Sequence, residues 1–265
     1  MNSPGTTWGV GEYPLMGRFL EPVAVAAVDA AAVVRGDRVV DIATGTGNVA
    51  LLAAERGGRV VGVDFEAALL RVAEERADAT GVEIGWLCGD LEALPLPGQS
   101  ADVVVSVFGV MYATDHGIAA RELARVAAPG ARVVLASWVP GSVLPAMGQI
   151  LSGYLPPPPA SSGPPSRWGD PVALTGLLEP HGLRLTATST SRITLPFTSS
   201  EDAADFLIRT AGHVVSEQDR LTSEGRWDAL RQDLCGFVEQ RAESRSDHLN
   251  LSLDYLLASA IRTSD

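Results

Sequence analysis

An α/β fold on a doubly wound, mostly parallel sheet is what this sequence predicts, and three observations carry it. Short apolar, β-like runs alternate with helical stretches through the first half of the chain. The strongest run, residues 102–107 (DVVVSV), is apolar almost throughout, as a strand covered on both faces should be. The helical stretches between runs have the roughly 10–15 residues that βαβ connections use.

Taken in order, residues 38–41 form a first strand ending at a glycine-rich turn, and a helix from residue 47 follows until Gly57-Gly58. Residues 59–64 (RVVGVD) are a second strand, followed by a helix over 66–80 that stops at Gly81. Residues 82–87 are a weaker third strand and 102–107 the fourth. Asp115 is placed to cap a helix running to residue 128, where Pro129-Gly130 turns the chain into a fifth strand over 131–137. Residues 155–171 (LPPPPASSGPPSRWGDP) read as a stiff, extended connection with no packed core of its own. Asp170-Pro171 then starts a helix. Residues 183–190 alternate like a strand, Ser199 with Asp202 opens a helix toward Arg209, and a further helix spans 224–240. Residues 249–261 form the last strand, which makes seven.

Composition narrows the chemistry. The chain has 265 residues, 46% of them apolar, enough to bury a full core in one domain. Its formal charge is -12, which disfavours a nucleic-acid or anionic-membrane partner. All 20 basic residues are arginine. Without lysine there is no Schiff-base chemistry and no Walker-type phosphate loop. Cys88 and Cys235 are far apart and lack metal-ligand spacing, so no metal is expected. No apolar run reaches the roughly 18 residues of a membrane span, and no leader pattern is visible. A cytoplasmic protein is the expectation.

The chemistry gathers at residues 41–48 (DIATGTGN), where the first strand meets a helix. Gly45 and Gly47 let a ligand approach the backbone, and the helix start offers unpaired N–H groups. Gly45 to Ala50 also satisfies a loose GxGxxA dinucleotide pattern, and both readings expect an acid after the second strand, which Asp64 supplies. Asp41 helps to separate them. A carboxylate facing this crevice would repel a pyrophosphate, whereas S-adenosylmethionine carries a sulfonium and an ammonium. Asp90 and Leu91 follow the third strand, and Val107-Phe108 the fourth.

With these residues in place the sequence resembles the class I S-adenosylmethionine-dependent methyltransferases, in the small-molecule type 11 or UbiE-like branch. The resemblance covers residues 8–140 well and implies a Rossmann-like, seven-stranded sheet with a helical lid and insertions. Asp41, Gly45 and Gly47 match the family's DxGxGxG, with Ala43 in place of its first glycine and Thr44 beside it. The resemblance gives Asp64 to the ribose, Phe65 and Leu91 to the adenine's surroundings and Asp90 to its amino group. Val107 and Phe108 would lie beneath the cofactor, and Trp8 and Tyr13 would close over it. Residues 121–130 (RELARVAAPG) resemble the family's RVLKPGG segment. Within one domain over 1–265, residues 1–34 would be the lid, 35–138 the cofactor-binding core, and 139–182 and 196–248 substrate-side insertions.

The expected activity is methyl transfer to a small apolar or aromatic metabolite, at O, N or C, in natural-product metabolism. His116 and His213 are the candidate bases. Met111, Tyr112, Trp138, Met147, Tyr154, Trp168 and Phe206 are the candidate substrate wall. A small-molecule substrate is the expected partner, and a homodimer is among the expected states. Two rivals stand at this point: a methyltransferase-like protein that catalyses a cyclisation, and an NAD(P)-dependent oxidoreductase.

Overall fold

The computed structural model describes residues 8–157, 163–244 and 248–264. Residues 1–7 of the expected lid, 158–162 of the proline-rich connection and 245–247 of the second insertion lie outside them.

Helix α1 (Tyr13–Ala30) begins with proline in its first turn, where the missing N–H costs nothing. It buries Met16, Leu20, Val23, Ala24 and Ala27, the i, i+4, i+7 stripe of a core-facing helix. Strand β1 (Arg38–Ile42), α2 (Asn48–Glu55), β2 (Arg59–Asp64), α3 (Ala67–Thr80) and β3 (Ile84–Cys88) follow in alternation, then β4 (Ala101–Val107), α4 (His116–Val126) and β5 (Ala127–Trp138). Beyond β5 lie α5 (Val143–Leu151), α6 (Pro171–Leu178), β6 (Leu183–Phe197) and four helices, α7 (Ser200–Thr210), α8 (Gly212–Val215), α9 (Gln218–Ser223) and α10 (Trp227–Arg241). A two-residue β7 (Glu243–Ser244) and the long β8 (Leu249–Arg262) complete the chain.

The sheet order is β3-β2-β1-β4-β5-β8-β6, with β7 paired to β8 off this path. The first five strands are parallel, and β8 runs antiparallel between β5 and β6. Winding reverses between β1 and β4, which places a crevice at their carboxyl ends. Alternation along the strands feeds two cores. Val40, Ile42 and Val104 join one cluster, and Val39, Val103 and Val105 join the other. Both faces are covered, which is why the middle of these strands is apolar on both sides, with charged residues kept to their ends.

The side chains of Asp115, Asp170 and Ser199 each accept a backbone N–H of the helix that follows, from Ile118, Ala173 and Asp202. Two expectations are corrected. Pro129-Gly130 is not a turn before β5; it lies inside that strand, beside a register shift opposite β4, where an irregularity tolerates the missing N–H. The proline-rich connection is not without a core. Trp168 is 0% exposed, within a 3-10 turn over Pro165–Gly169, because burying so large a ring anchors the segment against the sheet. No described helix is long and apolar enough to cross a membrane.

Candidate functional site

The crevice opens into a cavity of about 570 Å3, within the roughly 300–1,000 Å3 of small-ligand sites. Its floor is the loop between β1 and α2, where Ala43, Gly45 and Gly47 all have positive φ (54°, 56° and 83°). Ala43 carries the strain of a left-handed L-residue. Its methyl is accommodated because residue 109 is glycine, where an added Cβ would lie 2.3 Å from that methyl. Gly47 is turned to packing and not to the cavity: a Cβ there would meet Trp86 of β3 at 3.0 Å and Ala73 of α3 at 3.1 Å.

Two acids hold this loop. Asp64, at the end of β2, accepts the N–H of Gly45 at 2.7 Å and that of Glu66 at 2.8 Å while lining the cavity. Burial pushes its pKa up, against those hydrogen bonds. Asp41 does not face the crevice as the sequence suggested. It is 2% exposed, accepting the Thr44 hydroxyl and the N–H of Ala50 at 3.1 Å. A buried carboxylate needs donors, and the first turn of α2 has free ones. Burial pushes the Asp41 carboxyl up to about 7, and the Thr44 and Ala50 bonds hold it lower than burial alone would. Behind the loop, Arg76 donates to the Thr46 carbonyl at 2.6 Å and to Asn48 at 2.7 Å. Asn48 in turn donates to the Gly17 carbonyl of α1 at 2.7 Å.

Four rings from separate elements meet over the opening. Trp8 stands edge-on to Tyr13 at 5.9 Å, to Tyr112 at 5.0 Å and to His213 at 6.3 Å. The segment leading into α1 is tied down beside them, since Glu12 N–H donates to the Arg209 carbonyl at 2.8 Å. Burial, then the nearby Asp64, raise the Tyr13 phenol well above its ordinary value. His213 of α8 is solvent-accessible and lines the cavity, and the desolvation imposed by its surroundings lowers its pKa below 6.5. At neutral pH its imidazole is uncharged. On the far wall Phe108 and Trp138 stack face to face, 3.6 Å apart and 10° from parallel. Met111 and Met147 also line the cavity, as do Phe65, Asp90, Leu91 and Ala43.

Eight of the residues singled out from the sequence do not line the cavity. Asp41, Thr44 and Gly47 form the loop's supports. Val107 packs into the core clusters from the end of β4. His116 is 1% exposed, with its ring edge-on to Trp168 at 5.8 Å, so both belong to the core beneath the wall. Burial, then Arg167, lower the His116 pKa. Phe206 packs between Phe19 and Phe197, at 5.5 and 5.3 Å. Tyr154 is half-buried against the core and donates its hydroxyl to Asp233 of α10 at 2.5 Å. Sequence reasoning missed Leu144 and Leu151 of α5, Leu207 and Thr210 of α7, and the acids Glu66 and Glu92. Helical spacing was the available signal: Leu144, Met147 and Leu151 share one face of α5, and Leu207 and Thr210 one face of α7.

Comparison with known proteins adds to this geometry. The model of the methyltransferase-domain family, type 11, matches residues 40–135. An uncharacterised protein of Mycobacterium tuberculosis is 36% identical over 184 residues, which cover 68% of this chain and 67% of that protein. The demethylmenaquinone methyltransferase of Thermus thermophilus is 38% identical over 152 residues, covering 49% of this chain and 69% of that enzyme. Among solved structures, the phosphoethanolamine N-methyltransferase 2 of Haemonchus contortus in complex with S-adenosyl-L-methionine has a similar fold. It aligns with a TM-score of 0.55 at 16% identity, over 92% of this chain and 53% of that one.

Proposed function

This chain belongs to the class I S-adenosylmethionine-dependent methyltransferases of type 11, and on that footing we propose that its acceptor is a small apolar or aromatic molecule, of the kind found in natural-product metabolism. The observation that carries the reading is the far wall, where the Phe108–Trp138 stack, Met111 and Met147 present an apolar, π-rich surface facing the acids of the near wall. The residues present fit the cofactor. Asp64 has carboxylate lone pairs free beyond its bonds to Gly45 and Glu66, enough to hold a ribose diol. Among the described residues, one oxygen of Glu66, Oε2, is buried without a hydrogen-bond partner. Asp90 and Phe65 would flank the adenine, and Tyr13 would lie over the loop.

S-adenosylmethionine, when bound, supplies a methyl group on a sulfonium that is already a good leaving group. What the chain itself contributes is alignment and the exclusion of water. Orientation of two bound reactants gives effective molarities on the order of 10^5 M or more. Trp8, Tyr13 and Tyr112 roof the cavity, and the stacked pair sets the plane of an incoming ring. His213 is the proposed base for a hydroxyl acceptor: it lines the cavity and is uncharged at neutral pH. His116 has no part in this, being enclosed in the core. The test is incubation with S-adenosylmethionine and a panel of phenols, with mass spectrometry of the product. A product heavier by one methylene, with S-adenosylhomocysteine released, supports the reading. Cofactor binding with a rearranged product of unchanged mass would refute it in favour of a cyclase.

A further inference from the structure

The turn that carries Asp90 and the segment that carries Met111 and Tyr112 are tied together by one side chain. Glu92 Oε1 accepts the backbone N–H of Thr114 and, at 3.0 Å, that of Asp115. Asp115 is the cap of α4, so the carboxylate sits at that helix's amino end, where N–H groups lack helical partners and the macrodipole favours an anion. Charge-assisted bonds of this kind are roughly twice as strong as neutral ones. Among the described residues no backbone–backbone hydrogen bond joins the two segments, so the tie depends on the reach of the side chain. Glu92 and Thr114 both line the cavity. On one side, Asp90 Oδ1 accepts the Glu92 N–H at 2.8 Å, and the Ala93 N–H donates to the Asp90 carbonyl at 3.0 Å, a tight turn that aims Glu92. On the other, Val110–Tyr112 is a 3-10 turn after β4, and the Tyr112 ring meets Trp8 at 5.0 Å. Further on, the chain is pinned to α4 by bonds from residues that do not line the cavity. Leu94 N–H donates to Glu122 at 2.9 Å, and Arg125 donates to the Leu96 carbonyl at 2.7 Å.

Resting on the methyltransferase reading, we propose that Glu92 is a positioning residue: it carries the occupancy of the purine subsite at Asp90 to the Met111–Tyr112 segment, so that cofactor and acceptor bind with positive cooperativity. Asp90 is exposed and has lone pairs left beyond its bond to Glu92. A purine amino group on them would hold the carboxylate still, and with it the turn and the Glu92 side chain. With the subsite empty, water serves Asp90 and the turn is free to open. The Met111–Tyr112 segment then settles when the cofactor is in place. Coupling of this kind is reciprocal. An acceptor that rests on Met111 and Tyr112 tightens cofactor binding by the same factor.

The experiment is hydrogen-exchange mass spectrometry of the full chain, with and without saturating S-adenosylhomocysteine. Peptides over residues 86–96 report the purine side, and peptides over 110–118 the acceptor side. Glu92→Gln keeps the reach and an acceptor oxygen, Glu92→Asp keeps the charge but is one methylene short, and Glu92→Ala keeps neither. In the parent, the ligand is expected to slow exchange on both sides, by about fivefold or more over 110–118. Glu92→Gln is expected to keep most of that gain. Glu92→Asp and Glu92→Ala are expected to lose it while 86–96 stays protected. No gain over 110–118 in the parent, a gain in Glu92→Asp equal to the parent's, or a Glu92→Gln that loses it as fully as Glu92→Ala each overturns the proposal. Glu92→Asp is a mild change, so the comparison does not depend on the alanine variant folding. Failure of S-adenosylhomocysteine to bind the parent, measured separately by calorimetry, would instead remove the cofactor assignment on which the proposal rests.

Discussion

Asp64 Oδ2 accepts the backbone N–H of Gly45 at 2.7 Å across 19 residues of sequence, tying the end of β2 to the left-handed turn that follows β1. One carboxylate thereby shapes the loop and lines the cavity. Asp64→Ala removes both roles at once and strands a buried N–H, a loss of about 1–3 kcal/mol. The expected result is S-adenosylmethionine affinity lowered at least tenfold by calorimetry, with a lower melting temperature. Unchanged affinity would show that the acid serves the loop alone.

Asp41 titrates near neutrality because burial raises its carboxyl from 3.8 to about 7. With the folded value above the unfolded one, its favourable contribution is complete below pH 4 and is lost as the pH rises through 7. Subtracting the melting curves of Asp41→Asn from those of the parent is expected to reveal this slope between pH 4 and 7. A cationic cofactor nearby favours the ionised form. Its binding near pH 7 should therefore release a proton, read as a buffer-dependent enthalpy that Asp41→Asn abolishes.

Ala43 occupies a turn position with φ of 54°, where a side chain costs roughly 1–2 kcal/mol. Ala43→Gly relieves that strain at some cost in unfolded-chain entropy, so a net gain of about 1 kcal/mol is expected, or roughly 2–4 °C in melting temperature. Gly109→Ala should destabilise, because its methyl would meet that of Ala43. The penalty should be smaller in an Ala43→Gly background, and a double-mutant cycle measures the coupling.

His213 is uncharged at neutral pH because its surroundings disfavour the imidazolium. Activity toward a phenol is expected to fall on the acid side only below pH 6.5. His213→Gln should cost on the order of 10^2-fold or more in kcat and leave cofactor affinity intact by calorimetry. His116→Gln, by contrast, should act through stability: its ring is packed on Trp168 in the core.

Arg76 bonds the Thr46 carbonyl and Asn48, linking α3 to the loop and, through Asn48, to Gly17 of α1. Arg76→Met keeps much of the packing volume and removes the guanidinium donors. Weaker S-adenosylmethionine binding with kcat nearly unchanged at saturation is the expected split, measured by steady-state kinetics.

The strands β1 to β4, the body of β5, the helices α2 to α4, and the caps at Asp115, Asp170 and Ser199 were legible in the sequence, because each follows from local pattern; the start of β5 across Pro129-Gly130 was not. A strand buried on both faces must be mostly apolar, and a helix start must satisfy its own N–H groups. The glycine turn and the acid after β2 were legible for the same reason, since their spacing is set within one βαβ unit. Which way a side chain turns is not local. Asp41 sits at the expected strand end, yet its carboxylate bonds Thr44 and Ala50 because α2 starts beside it. His116 and His213 are indistinguishable as letters. Only the packing of Trp168 against β5 encloses the first, and only the placement of α8 beside Trp8 opens the second to the cavity. The apolar wall likewise depends on α5 and α7 converging from insertions far apart in the chain, a matter of long-range burial that no window of sequence contains.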